Sequence, residues 1–291
     1  MILDLLSIIA PLFVCAGLGF AWSRGGGRYD QELVTVLIMN FGAPCLVFSQ
    51  LIALEVDGAL MLRIAGGALA AMFVFGLVGA LVLRAARLPT HTFLGPLVFC
   101  NAGNMGLPLC LFAFGSEGLA LATCFFAVMA VGHYTAGVWI WSGRLSPGEL
   151  LRMPLSYAAA LAVWVLVSGW PVPVWIQNTT ELLGGLTIPL MLITLGVSLS
   201  SMQLGRLRRT LALSLLRLGM GFGVGVGLSA LLELDGLARK VFIVECSMPV
   251  AVFNYIFAQR YGRAAEDVAS LVLVSTLLAF ALLPFLLAWL L

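Results

Sequence analysis

Charge is what this sequence has least of. Only 10% of its 291 residues are Asp, Glu, Lys or Arg, against about 25% in an ordinary soluble domain. Hydrophobic residues make up 62%, and the mean hydropathy is +1.11. That excludes a soluble globular domain, and a net charge of +2 is too small to mark a nucleic-acid partner. Other signatures are missing too. There is no Walker motif for ATP drive, no His-Glu-x-x-His, no Gly-x-Ser-x-Gly and no pair of aspartates inside a span, so an enzyme is not expected. The six cysteines (Cys15, Cys45, Cys100, Cys110, Cys124 and Cys246) all fall inside apolar segments. Their spacing fits neither a disulfide framework nor a metal site, and they read as small buried apolar residues. No cofactor is expected. The N-terminus has no basic region, so residues 3–22 read as a retained first helix and not a cleaved signal.

What is present is a series of apolar segments joined by short connectors. A helix needs roughly 20 apolar residues to cross the hydrocarbon core. Ten segments qualify: about 3–22, 33–53, 60–83, 92–114, 118–141, 151–169, 179–200, 208–232, 239–259 and 267–290. The fold class is an all-α polytopic membrane protein surrounded by membrane lipid. Trp22, Trp141, Trp170, Trp175 and Trp289 stand near segment ends, where aromatic residues meet the membrane interface. Alternate connectors carry the positive charge: Arg24 and Arg28; Arg84 and Arg87; Arg144 and Arg152; Arg206, Arg208 and Arg209; Arg260 and Arg263. That is eleven residues on one face, against Arg63, Arg239 and Lys240 on the other, with Arg217 inside a span. Positively charged connectors stay in the cytoplasm, which places both termini outside.

Five spans precede the Arg144–Arg152 connector and five follow it. An odd number per half inverts one half relative to the other, the arrangement of many secondary transporters. The halves are 1–145 and 146–291. Prolines recur in matching spans: Pro44 in the second and Pro189 in the seventh, Pro108 in the fourth and Pro249 in the ninth. The pairs are 64 and 60 residues apart.

The fourth and ninth spans are interrupted in their middles. Asn101-Ala-Gly-Asn-Met-Gly-Leu-Pro108 breaks one, and Glu245-Cys-Ser-Met-Pro249, followed by Asn254, breaks the other. An unpaired backbone group in hydrocarbon costs several kcal/mol, so such breaks survive only when buried in protein or lining a wet cavity. Paired breaks in corresponding places point to a transporter's substrate site. Half-helix N-termini favour an anion such as a carboxylate, and C-terminal carbonyls favour a cation or proton donor. Asn101, Asn104, Ser247 and Asn254 add neutral donors and acceptors. Gly103 and Gly106 let the chain turn and let a ligand approach the backbone.

The fourth-span motif resembles the crossover of the auxin efflux carrier family. Met248-Pro249, followed by Asn254-Tyr-Ile-Phe-Ala-Gln-Arg-Tyr261, resembles it in the ninth. The resemblance covers essentially the whole chain and its layout, and it implies a bacterial member. Bacterial members resemble organic-anion permeases for malonate or malate. Plant members export auxin, and their long cytoplasmic loop after the fifth span is missing here. The resemblance further implies a fold like that of bile-acid sodium symporters and an elevator-type mechanism in the inner membrane. Spans 1, 2, 6 and 7 would form a scaffold and spans 3–5 and 8–10 a moving unit, with a homodimer through the scaffold. Asn104 and Asn254 would be the crossover asparagines. The expected substrate-binding set is Asn101, Asn104, Gly106, Pro108, Ser247, Pro249 and Asn254.

Ionisable groups inside spans carry the remaining signal. Glu245, beside the ninth-span break, reads either as a proton- or cation-coupling carboxylate or as a structural one that pairs with a neighbour. His133 reads as a proton relay or as a helix–helix hydrogen bond. Arg217 either snorkels to the cytoplasmic face or assists an anion along its path. The Gly219–Gly227 run lies inside a span with no preceding strand, so it reads as a surface for close helix packing. Proton and sodium coupling both stay open, as do a sodium-coupled carrier of the bile-acid type, a channel and a sensor on the same fold.

The charge asymmetry makes a direct prediction. Single cysteines placed at either terminus should react with an impermeant thiol reagent from outside intact cells, and one at the Arg144 connector should not. Cytoplasmic labelling at both termini would overturn the orientation.

Overall fold

Widened turns, two of them followed by proline, divide several helices of this chain. A computed structural model describes residues 2–53, 58–144, 148, 153–203 and 205–291. Arg152 and the boundary between residues 145 and 146 lie outside the described residues. The first helix, α1, spans Ile2–Arg24. Next come α2 (Gln31–Leu37), a π-helical turn at Ile38–Gly42, and α3 (Ala43–Ile52). Helix α4 covers Gly58–Ala85 and α5 covers Thr90–Val98. A second π-turn, Ala102–Gly106, leads into α6 (Leu107–Gly132), and a third, His133–Gly137, into α7 (Val138–Ser142). Pro44 and Pro108 each stand second in the helix that follows a π-turn. Proline has no N–H to give, and its ring crowds the carbonyl four residues back. Those carbonyls belong to Asn40 and Asn104, and the wider turn makes room there.

The second half runs through α8 (Pro154–Ser168), α9 (Val174–Gly185), α10 (Thr187–Ser201) and α11 (Leu207–Leu231). It ends with α12 (Gly236–Cys246), α13 (Phe253–Arg260) and α14 (Ala265–Leu290). Among the described residues no strand forms, and seven helical stretches are long and apolar enough to cross a membrane. The sequence predicts ten. Of the difference, one pair of expected spans lies within a single stretch, Ala102–Ser142, of 41 residues. Unbent, that length would reach about 60 Å, twice the hydrocarbon thickness. Gly115, with φ 70° and ψ −161°, kinks it between the fourth and fifth expected spans. The others are α8, with 15 residues, and the ninth expected span, divided into α12 and α13.

Packing sorts the helices. Helix α1 lies along α10, and α3 packs on α8 and α9. Elsewhere α4 packs on α5 and α6, α12 on α6 and α11, and α14 on α11 and α13. The groups meet where α3 and α1 touch α6 and where α10 touches the π-turn Ala102–Gly106. Glycines set the closest approaches. A Cβ at Gly196 would collide with the Ala16 carbonyl, and one at Gly19 with the Ile193 carbonyl. Small residues let membrane helices approach this closely. The glycine run of α11 splits in two. Gly221 and Gly225 face the C-terminal turn of α12, whereas Gly219, Gly223 and Gly227 have open space around them.

The α1–α10 contact is testable. Gly196→Val should destabilise the purified protein by about 1–3 kcal/mol, because neither backbone can yield easily. Gly66→Ala, which meets nothing within 4 Å, should leave the melting temperature unchanged or raised. Equal behaviour of the two variants would show that the helices do not rely on that approach.

Candidate functional site

The two interrupted segments meet backbone to backbone. Helix α5 stops at Val98, and Phe99 turns extended. Cys100 pairs with Val250 in an antiparallel bridge. The Asn101 amide donates to the Pro249 carbonyl at 2.7 Å, and the Ala251 amide donates to the Phe99 carbonyl at 3.1 Å. Val250 N–H is taken by Ser275 Oγ of α14 at 3.1 Å. In the fourth-span motif the full break therefore lies at residues 99–101, upstream of Pro108, and Gly103 and Gly106 belong to the π-turn that restarts the helix.

Asn254 fastens this crossing. Its Nδ2 donates to the carbonyls of Phe99 and Ala251, both at 3.1 Å. The opposite amide orientation would put oxygen against two carbonyls. The residue is fully buried and does not line the central cavity.

That cavity opens beside the crossing. It is walled by Asn101, Gly103 and Asn104 from one break, by Ala251 and Phe253 from the other, by Phe126, His133 and Tyr134, and by Met39 and Met191 across the seam. The starts of the Ala102–Gly106 turn and of α13 both face it, and the first N–H groups of a helix have no partner within the helix. Asn101 and Asn104 are buried there, and Asn101 Nδ2 has no hydrogen-bond partner. The His133 ring stacks on Phe99 at 4.2 Å and leans on Phe257 at 5.0 Å, and its Nε2 is also unpartnered. The space is about 40 Å³. At about 10–15 Å³ per water it accepts a few waters, not an organic acid. A larger space of about 290 Å³ shares Met39 and Tyr134 with it and is lined by Thr35, Asn40 and Arg260. On the other end of the seam, a space of about 300 Å³ is lined by Ser49, Gln50, Glu181 and Pro189.

The remaining expected site residues lie elsewhere. Ser247 Oγ donates to the Ile243 carbonyl at 2.7 Å, and Ser247 lines an apolar groove between α11 and α14. Pro249 lends its carbonyl to the crossing, and Pro108 begins α6 behind the π-turn. Gly106 faces Glu245: a Cβ there would stand 2.5 Å from Oε2. Glu245 is fully buried and accepts from Cys110 Sγ at 3.7 Å. Its carboxyl group thus sits against the N-terminal turn of α6 and away from the cavity. Arg217 neither snorkels nor lines a cavity. It is fully buried, its Nη2 donates to the Cys246 carbonyl at 3.0 Å, and its guanidinium lies 4.4 Å from the Phe75 ring centre. Sequence reasoning missed Met39, Met191 and Phe253 as cavity walls. A methionine or phenylalanine in an apolar span carries no signal. Arg260 entered only as a topogenic charge.

Helices long and apolar enough to cross a membrane, with two breaks bonded to each other beside a cavity, have the build expected of a membrane transporter. Residues 143–287 match the family described as membrane transport protein. A protein described as an uncharacterized transporter from Methanocaldococcus jannaschii is 30% identical over 188 residues, spanning 60% of this chain and 60% of the relative. An uncharacterized transporter from Methanothermobacter thermautotrophicus is 26% identical over 272 residues, 89% of this chain and 88% of the relative. The C-terminal half of the chain is thus similar to this membrane transport family, and both relatives are described as transporters. These findings point to a transporter and not an enzyme.

The fastening role of Asn254 predicts an order of variants. Asn254→Ala should cost about 1–3 kcal/mol by leaving buried carbonyls short of a donor. Asn254→Asp should melt lower still, because it sets a carboxylate against those carbonyls. An Asp variant as stable as the Ala variant would show that the amide does not hold the crossing.

Proposed function

We propose that this chain is a secondary transporter of small organic anions, working with ten spans in a 5+5 inverted repeat and binding its substrate at the crossing of the fourth and ninth. One observation carries the reading. Two broken segments from opposite halves bond to each other, and the N-terminal ends of their second pieces open, with two asparagines, into one cavity on the seam between two groups of helices.

The groups correspond to the scaffold and moving unit of an elevator. Helices α1, α2, α3, α8, α9 and α10 make the scaffold, and the rest of the chain moves. The partners expected through the scaffold are lipid or a second copy, on the face where Trp164, Val167 and Trp175 are exposed. An anion enters past Arg260, whose charge draws it into the wider space. Met39 and Tyr134, common to both spaces, separate it from the inner cavity. There Asn101 and Asn104 donate amide N–H bonds to the carboxylate, and His133 Nε2 stands close by. A neutral donor serves well, because it brings no charge that itself needs a partner when the cavity is empty. The small cavity fits a closed seam that must widen before a substrate enters. Glu245 and His133 are the candidates for proton coupling.

A hydrogen bond to a charged group contributes about 1.5–3 kcal/mol. Asn104→Ala should therefore weaken carboxylate binding by roughly one to two orders of magnitude, with a melting temperature close to wild type. The measurement is binding and proteoliposome uptake with malonate, malate and an aromatic monocarboxylate as probes. Unchanged affinity in Asn101→Ala and Asn104→Ala together would place the carboxylate elsewhere.

A further inference from the structure

The crossing creates two C-terminal half-helix ends, at α5 and at α12. In carriers with broken helices such carbonyl ends hold the coupling cation. Here both are occupied by the protein itself. The Phe99 carbonyl, just past the end of α5, takes Asn254 Nδ2. The Cys246 carbonyl, which ends α12, takes Arg217 Nη2.

The Arg217 contact is built into one stripe of α11. Arg217, Gly221 and Gly225 recur every four residues and share a helix face. A Cβ at Gly221 would collide with the Cys246 carbonyl, and one at Gly225 would stand 3.1 Å from the Ile243 Cα. The two glycines bring α11 close enough for the guanidinium to lie on the end of α12. Phe75 of α4 covers its face. Arginine stays charged inside proteins, and a buried charge is retained only where something compensates it. The carboxyl end of a helix carries about half a negative charge, and Arg217 meets that end of α12 at the Cys246 carbonyl. Positive charge thus lies at the C-terminal end of α12, on the Cys246 carbonyl.

We propose that Arg217 is a tethered cation of the crossing, filling the place of a coupling sodium ion, so that transport by this chain is independent of sodium. The proposal rests on the carrier reading above and narrows it, leaving a proton or no ion as the coupling species.

The test has two arms. In the first, the detergent-purified protein is melted in sodium chloride and in choline chloride of equal ionic strength. The wild type should melt at the same temperature in both. Arg217→Ala should lose several degrees, most of which guanidinium at sub-denaturing concentration restores and sodium does not. Should Arg217→Ala fail to fold, Arg217→Lys takes its place, with the charge kept and the same guanidinium and sodium additions compared. A wild type stabilised by sodium, or a variant restored by sodium and not by guanidinium, overturns the proposal. In the second arm, proteoliposomes take up malonate and an aromatic monocarboxylate with sodium or choline outside. Equal rates support the tethered cation, and rates that need sodium overturn it. Absence of uptake under every condition would overturn the carrier reading alone, because the melting arm does not depend on transport.

Discussion

Two hydrogen bonds between chain breaks hold the centre of this molecule. Asn101 donates to Pro249 and Ala251 donates to Phe99, which joins halves of the chain about 150 residues apart. In a membrane interior no water is available to satisfy a broken helix. Each break can exist only because the other is there to bond with it. The residues around the crossing then complete the same accounting: Ser275 with Val250, Asn254 with Phe99 and Ala251, Arg217 with Cys246. The cavity is a by-product of this arrangement, since it lies beside the crossing with Asn101 and Asn104 on its wall.

The two faces of the crossing have different electrostatics. On the cavity side there are amides, aromatic rings and methionines, with no cationic or acidic side chain on the walls. Away from it there are a buried arginine, on the C-terminal end of α12, and a buried glutamate beside the first turn of α6. Arg217 and Glu245 are thus kept away from the cavity walls.

Glycine and proline act at specific positions here and not as general softeners. Gly19 and Gly196 set the approach of α1 and α10. Gly221 and Gly225 seat α11 on α12, while the alternate glycines of the same run face open space. Pro44 and Pro108 follow widened turns, and Gly115 kinks a stretch twice too long for one crossing. Each makes a distance or a bend that the neighbouring elements use.

Much was legible in the sequence because the bilayer imposes a simple rule on it. Apolar length, absent charge and polar breaks in Asn101–Pro108 and Glu245–Asn254 announce a polytopic chain whose interruptions must find partners for their backbones inside the protein. Direction of side chains was not legible. Asn104 and Asn254 look equivalent on paper, yet one lines the cavity and the other is spent on the backbone. Arg217 reads as a residue on its way to water and is instead held at a helix end. Hydropathy reports only whether a residue can lie in the membrane. Which neighbour it meets depends on how helices distant in sequence rotate and pack, and that is decided only when the two halves close on each other.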